Sequence, residues 1–362
     1  MEFTALHKWL PNLKHPLVIA GPCSAETREQ VLKIGREVAK IEQVKIFRAG
    51  IWKPRTRPNN FEGIGEEALG WIKEVKKETG LLTTIEVANA KHVELALKND
   101  IDILWIGART TVNPFSVQEI ADAIKGTNIP VMVKNPINAD LALWEGGIER
   151  IYQAGIKRII AIHRGFSTYG ETHYRNKPIW KIPMELKRRN PTLPIVCDPS
   201  HICGKRDLVG TICQRALDID MDGMMVETHH DPDNAWSDAA QQVTPSVLAD
   251  ITKKLSLKTE YSTNKNFEEK LNGLRKQIDE VDGDILDALK RRMDVVEQIG
   301  TAKVKSNVTA LQVSRMGDLL AKRMERGEKL GLTERYVKEI YQVIHDESVR
   351  KQTQIMKDSK SK

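Results

Sequence analysis

Short apolar runs punctuate residues 17–250 at nearly regular intervals. They read "PLVIAG", "VKIFRAG", "LLTTIEV", "DILWIGA", "PVMVKN", "RIIAIHRG", "PIVCDPS" and "GMMVETH". β-Branched residues are common in them, and each is separated from the next by enough chain for a crossover helix. Runs that are apolar on both faces belong to parallel strands covered on both sides. Eight βα units of this kind predict an α/β fold, the (β/α)8 TIM barrel. A doubly wound open sheet is the alternative, but its glycine-rich dinucleotide fingerprint is missing.

The texture changes near residue 254. "KKLSLKTEYSTNKN" is polar and has no apolar period, which marks a linker over 254–267 between a barrel domain at 1–253 and a module at 268–362. In that module Leu271, Leu274, Ile278, Val281, Ile285, Leu289, Met293, Val296 and Ile299 recur at three- and four-residue steps. This spacing predicts a long amphipathic helix, followed by two shorter ones near 313–328 and 333–356 separated by Gly331. The result is an all-α three-helix module. A first helix of this length leaves its apolar stripe uncovered unless a partner chain packs on it, so a homodimer through the module is expected.

Composition narrows the picture. The chain is 40% hydrophobic and 29% charged, an ordinary soluble balance. The N-terminus lacks a signal-peptide h-region and no apolar run is long enough to span a bilayer, so neither export nor membrane insertion is expected. Four cysteines in 362 residues are too few for a disulfide framework and fit reduced thiols or a metal ligand in the cytoplasm. The net charge of +7 favours anionic partners. Its basic residues are interspersed with acids and no nucleic-acid motif accompanies them, so small phosphorylated or carboxylated substrates fit better than nucleic acid.

In a TIM barrel the chemistry sits where strands end. Here those ends carry Cys23, then Arg48 with Lys53 and Arg55, then Glu86, Arg109, Lys134, His163 with Arg164, Asp198 with His201, and Glu227. Charges at a buried rim are costly unless paired or ligand-bound. Cys23, His201 and Glu227 each suit a divalent transition metal, and Asp238 offers a fourth ligand. His229, His230 and Cys203 are competing donors. Arg48, Lys53, Arg55, Arg109, Lys134 and Arg164 form a cationic set too large for one small anion, so two phosphorylated substrates are expected.

The motifs "AGPCS", "KPRTRPNNFEG", "IGAR", "VMVKNP", "HRG", "CDPSH" and "VETHHDP…SDAAQQ" occur in order and resemble 3-deoxy-D-arabino-heptulosonate 7-phosphate synthases of the compact bacterial subgroup. The resemblance implies condensation of phosphoenolpyruvate with erythrose 4-phosphate, the first step of the shikimate pathway. The related octulosonate phosphate synthases typically replace the motif that stands here as Lys53, Pro54, Arg55 and Thr56. By resemblance, Cys23, His201, Glu227 and Asp238 bind a divalent ion: Mn, Fe, Co or Zn. Arg109 and Arg164 hold the phosphoenolpyruvate phosphate, Lys134, Arg48 and Lys53 face its carboxylate, and Arg55 and Thr56 take the sugar phosphate. Lys53 also serves the developing alkoxide, and Glu86 orients the attacking water. One departure is Ala239, where the family commonly has glycine after the aspartate.

Within the helical module, Arg292 and Lys303 lie about three turns and about 16 Å apart on one helix face, suited to a dianion between them. Ser348 and Gln352 share a face of the last helix. The stretch "LNGLRKQIDEVDGDILDALKRRMDVVEQIGTAK" with "HDESVRKQ" resembles the all-helical chorismate mutases. That resemblance implies rearrangement of chorismate to prephenate. Lys303 and Gln352 would serve the breaking ether oxygen, and Arg275, Arg292, Arg315 and Ser348 would hold the substrate. Met316 and Gln312 stand where that family commonly has acidic residues. A pathway-opening activity fused to a later branch-point activity predicts prephenate as a feedback inhibitor. The alternative is a tail that only dimerises and binds an effector.

Overall fold

The computed structural model describes residues 1–10, 12–53, 61–258, 264–311 and 313–360, except the side chains of 313–316 and 360. The chain divides into two compact units, Met1–Glu260 and Tyr261–Lys362.

The first unit is a closed parallel barrel of eight strands: β1 Leu17–Gly21, β2 Val44–Arg48, β3 Leu82–Val87, β4 Ile103–Ile106, β5 Val131–Lys134, β6 Ile159–His163, β7 Ile195–Cys197 and β8 Gly223–Glu227. Each strand pairs with its sequence neighbour, and β1 closes the ring on β8 from Leu17↔Gly223 to Gly21↔Glu227. Helices follow the strands. Several start at side-chain caps, such as Thr27, Asn89, Asn113 and Asp140, that accept from the first-turn amides.

Strand side chains alternate faces with period two. One parity faces the barrel interior: Leu17 and Ile19, Ile46, Ile103 and Trp105, Met132, Ile160 and Ile162, Val196, and Met225 form one buried cluster. The opposite parity, including Val18, Phe47, Leu104, Val133 and Val226, packs outward under the helices. The N-terminal segment adds Leu6 and Leu10 to the interior cluster. It therefore plugs the barrel at the end opposite the strand C-termini.

The second unit has three helices, Lys265–Lys305, Val313–Lys329 and Glu334–Lys360. The first begins a few residues before the expected 268, because Asn264 caps it by accepting from Phe267 N. Gly331 has φ 76° and turns the chain into the last helix. Gly327 packs against Val337, where an added Cβ would lie 2.4 Å from a methyl group. The apolar stripe on the first half of the long helix is bare: Leu274, Ile278, Val281 and Ile285 are 47–59% exposed. No described helix is long and apolar enough to cross a membrane.

Candidate active sites

The barrel site follows from strand parity. Continuing each inward-facing series upward gives Cys23 beyond β1, Arg48 on β2, Glu86 on β3, Gly107 beyond β4, Lys134 on β5, Arg164 beyond β6, Asp198 beyond β7 and Glu227 on β8. All but Asp198 line one pocket, with Lys53, Ala108, Arg109, Arg175, His201 and Asp238. Gly107 is required there, because a Cβ would lie 1.9 Å from Glu86 Oε1. Glu86 is held by Trp105, whose Nε1 donates to Oε2 at 3.1 Å.

Trp105 is buried beneath two of the pocket's cations. The Arg48 guanidinium and Lys134 Nζ stand 4.9 and 5.8 Å from its ring centroid. Lys134 Nζ donates to Asp198 Oδ2 at 2.8 Å. The same carboxylate takes His201 Nδ1 at 2.9 Å, which fixes the ring and leaves Nε2 as the nitrogen for ligation. Arg48 Nη2 lies 3.2 Å from Glu227 Oε1 as an ion contact, yet Oε1 has no hydrogen-bond partner among the described residues, and neither do Arg48 Nε and Nη1. These are buried atoms in need of ligands.

Donor atoms of Cys23, Glu227 and Asp238 lie within 4.8 Å of one another. His201 borders this trio on the Glu227 side, with Nδ1 3.8 Å from Oε1, without joining the tight set. Cys23 Sγ donates to Asp238 Oδ2 at 3.2 Å and receives Lys53 Nζ at 2.5 Å. Burial, helped by Glu227 and Asp238, pushes the Cys23 thiol up to about 12 against the opposing pull of Lys53 and Arg48. Burial also lowers His201 and outweighs its acidic neighbours, so the imidazole is neutral near pH 7. Burial alone would raise Glu227 and Asp238. His201, Arg48 and Lys53 outweigh it at Glu227, and Arg175, Lys53 and His201 at Asp238, so both remain below their ordinary range. Burial brings Arg164 down to about 10, which keeps it cationic.

The competing donors go elsewhere. His229 Nε2 meets Glu26 at 3.3 Å and its Nδ1 accepts from Asp231 N at 3.0 Å. His230 stacks on His229 and lines a different groove, and Cys203 is a buried thiol of the hydrophobic core. His163 is corrected as a rim residue. It has the outward parity of β6 and lies among Trp144, Phe166 and Trp180. Arg55 and Thr56 lie outside the described residues.

Three residues in this site were missed. Arg175, from the loop after β6, donates to Asp238 Oδ1 at 2.9 Å and Gln241 Oε1 at 2.5 Å. Gln241 Nε2 donates to Glu227 Oε2 at 2.5 Å, and Gln242 Oε1 accepts from Cys23 N at 3.0 Å. The available signal was the pair of glutamines in "SDAAQQ". Ala239 is accommodated because the left-handed residue is Asp238 (φ 50°), while Ala239 itself opens a 3-10 turn.

In the helical unit, Arg292 Nη1 donates to Ser348 Oγ at 2.5 Å across the first and last helices. Gln352 is buried with Oε1 lacking a partner among the described residues, and Gly300 lies close enough that a Cβ would be 3.4 Å from Gln352 Cγ. Lys303 Nζ donates to Ala310 O at 2.7 Å. Burial and Arg323 lower Arg292 against the effect of Tyr341. Arg275 is exposed and, among the described residues, bonds locally to Asn272 Oδ1 at 3.4 Å. It lies about 25 Å from Arg292 along the helix. The Arg315 side chain and Gln312 lie outside the description.

A family model described as the DAHP synthetase I family matches residues 12–263, and one described as chorismate mutase type II matches residues 274–353. The phospho-2-dehydro-3-deoxyheptonate aldolase of Thermotoga maritima is 30% identical over 238 residues, which cover 66% of this chain and 68% of that protein. A 2-dehydro-3-deoxyphosphooctonate aldolase of Caulobacter vibrioides is 27% identical over 248 residues, covering 62% and 81%. The crystal structure of DAHP synthase from Thermotoga maritima is similar with a TM-score of 0.62 and 28% identity, covering 70% of this chain and 72% of that one.

Proposed function

The chain belongs to the DAHP synthetase I family and ends in a chorismate mutase type II domain, and from that premise we propose a division of labour among its residues. The barrel condenses phosphoenolpyruvate with erythrose 4-phosphate with the help of a divalent ion, and the helical domain rearranges chorismate to prephenate. The observation that carries the metal reading is Glu227 Oε1, buried beside Cys23 and Asp238 and without a hydrogen bond among the described residues. Cys23, Glu227 and Asp238, with His201 turned by Asp198, fit a transition ion such as Mn, Fe, Co or Zn. When bound, that ion supplies Lewis acidity at the aldehyde oxygen.

The remaining work falls to the chain. Arg109 and Arg164 clamp the enolpyruvate phosphate, while Lys134 and Arg48, whose Nε and Nη1 have no hydrogen-bond partner among the described residues, face its carboxylate above Trp105. Lys53 reaches the centre from its edge and donates to the alkoxide that forms as the enol carbon attacks the aldehyde. Glu86, held by Trp105, orients the water that adds at C2 before phosphate leaves. Arg55 and Thr56 take the sugar phosphate. The test is product formation from phosphoenolpyruvate with erythrose 4-phosphate or arabinose 5-phosphate. The four-carbon sugar is expected to have the higher specificity constant, and the reverse order would favour an octulosonate phosphate synthase.

In the helical domain Arg292 and Ser348 form one end of the chorismate site, Lys303 and Gln352 serve the ether oxygen, and Arg315 completes the grip. The rearrangement needs no nucleophile, only selection of the compact conformer and stabilisation of charge. A second copy covering the bare stripe brings Arg275 to the site and makes the protein a homodimer. Prephenate bound there inhibits the synthase. Couplings of this kind change affinity about 5–150-fold. Synthase activity of the full chain is expected to fall with prephenate and that of Arg292→Ala to resist it. Equal inhibition of both would place the effector elsewhere.

A further inference from the structure

Three of the four candidate donors are governed by one pentapeptide, Asp238–Gln242. Asp238 takes the left-handed conformation, and the 3-10 turn that follows sends two adjacent, fully buried glutamines to different targets. Gln241 Oε1 accepts from Arg175, and its Nε2 donates to Glu227 Oε2. Gln242 Oε1 accepts the Cys23 amide, and its Nε2 donates to Ser237 O at 2.9 Å. Neither amide can flip. A reversed Gln241 would set its oxygen against a carboxylate and its NH2 against a guanidinium, and a reversed Gln242 would fail at both ends as well.

The consequence concerns which oxygens reach the centre. Gln241 occupies Glu227 Oε2, so Oε1, in ion contact with Arg48 Nη2 at 3.2 Å but without a hydrogen bond among the described residues, is the oxygen left for the centre. Arg175 occupies Asp238 Oδ1, and Oδ2 is the oxygen beside Cys23 Sγ. Each carboxylate is held so that it presents one oxygen. Arg175 is itself anchored, because its backbone N donates to Cys203 O and the next residue, Asn176, bonds His201 O through Nδ2 at 2.6 Å. The loop that carries Arg175 is therefore tied to the turn that carries His201.

We propose that Gln241 and Arg175 are positioning residues that restrict Glu227 and Asp238 to one-oxygen coordination, with Gln242 fixing Cys23, and that this restriction selects compact transition ions over Ca2+. The inference rests on the metal reading above. Large hard ions take six to eight oxygens and favour bidentate carboxylates, whereas a four-donor set with a thiolate and an imidazole suits smaller, softer ions.

The test is direct binding to the full chain stripped of metal, with Mn2+ counted by electron paramagnetic resonance and Ca2+ by competition. Wild-type protein is expected to bind Mn2+ and Cys23→Ser to lose it. Failure at that step overturns the donor set itself, before any positioning variant is read. Gln241→Leu and Arg175→Met are then expected to weaken Mn2+ about 10–100-fold, the usual effect of removing an outer partner. The same substitutions free a carboxylate oxygen, so Ca2+ should weaken less and the Mn2+/Ca2+ selectivity should fall. Arg175→Lys keeps one donor and should recover part of the loss. Arg175 is half-exposed at the rim, so its variants test the idea even if Gln241→Leu does not fold. Mn2+ affinity and selectivity within about twofold of wild type in the folded variants would overturn it. So would a raised KM for either substrate with metal affinity unchanged, which would make Arg175 a substrate ligand instead.

Discussion

Cys23→Ser and His201→Ala are expected to lose metal binding and condensation together, by about a thousandfold in kcat/KM. A Lewis acid at a developing alkoxide is worth several kcal/mol, and about 4 kcal/mol corresponds to that factor. Chelation of the wild-type chain should do the same, with activity restored by added ion. The serine variant is the sharper of the two, because it keeps nearly the same shape in a position that is fully buried. The thiol also predicts a pH dependence. It is pushed up to about 12, so the metal-free chain holds Cys23 protonated across the neutral range. Metal ligation needs the thiolate, so binding must expel that proton, and apparent affinity should rise about tenfold per pH unit below that value. His201 adds no further proton near pH 7, because burial already keeps it neutral. Calorimetric titration in buffers of different ionisation enthalpy counts the protons released. Full activity of metal-free Cys23→Ser, or binding without proton release, would remove Cys23 from the donor set.

Mixing two inactive mutase variants is expected to restore activity. Arg275 lies about 25 Å from Arg292 along one helix, beyond the reach of any side chain, and the stripe between them is bare. If Arg275 grips chorismate, it does so in the site of a second copy. Arg275→Ala and Lys303→Ala should each cost about 100-fold or more in mutase activity, the scale of losing a donor that stabilises developing charge. After subunit exchange, hybrid dimers carry one site with both residues intact and one with neither. Random exchange then returns about a quarter of wild-type sites. No recovery after exchange has been verified by mass would sink the shared site and leave each mutase site within one chain.

The barrel was legible because its strands are buried on both sides and rich in β-branched residues, a pattern that few other folds produce. The candidate donors Cys23, Glu227 and Asp238 were legible as a group because thiolate and carboxylates at strand ends cost too much to be idle, and their donor atoms lie within 4.8 Å of one another. His163 was misread because adjacent strand residues face opposite ways. Arg164 enters the pocket, while His163 turns outward among aromatic rings. Arg175 was invisible for a different reason. It sits in a loop without period, and only the fold carries that loop back over Asp238. Gln241 and Gln242 stand in the quoted "SDAAQQ", but a neutral amide gives no role until its two partners are known.

Among the described residues, Leu6 and Leu10 close the end of the barrel opposite the strand C-termini, so the pocket opens at the other end. Lys134 and Arg48 stand at the back wall over Trp105, with side chains only 6% and 3% exposed, whereas Arg175 at the threshold is 43% exposed. Traffic through that opening is a queue. A molecule that rests on the back wall has to enter before the one that stops at the threshold, and the later arrival bars its retreat. If one reactant rests on Lys134 and Arg48, as proposed, the arrival of its partner commits it, and the joined product passes the exposed Arg175 on its way out.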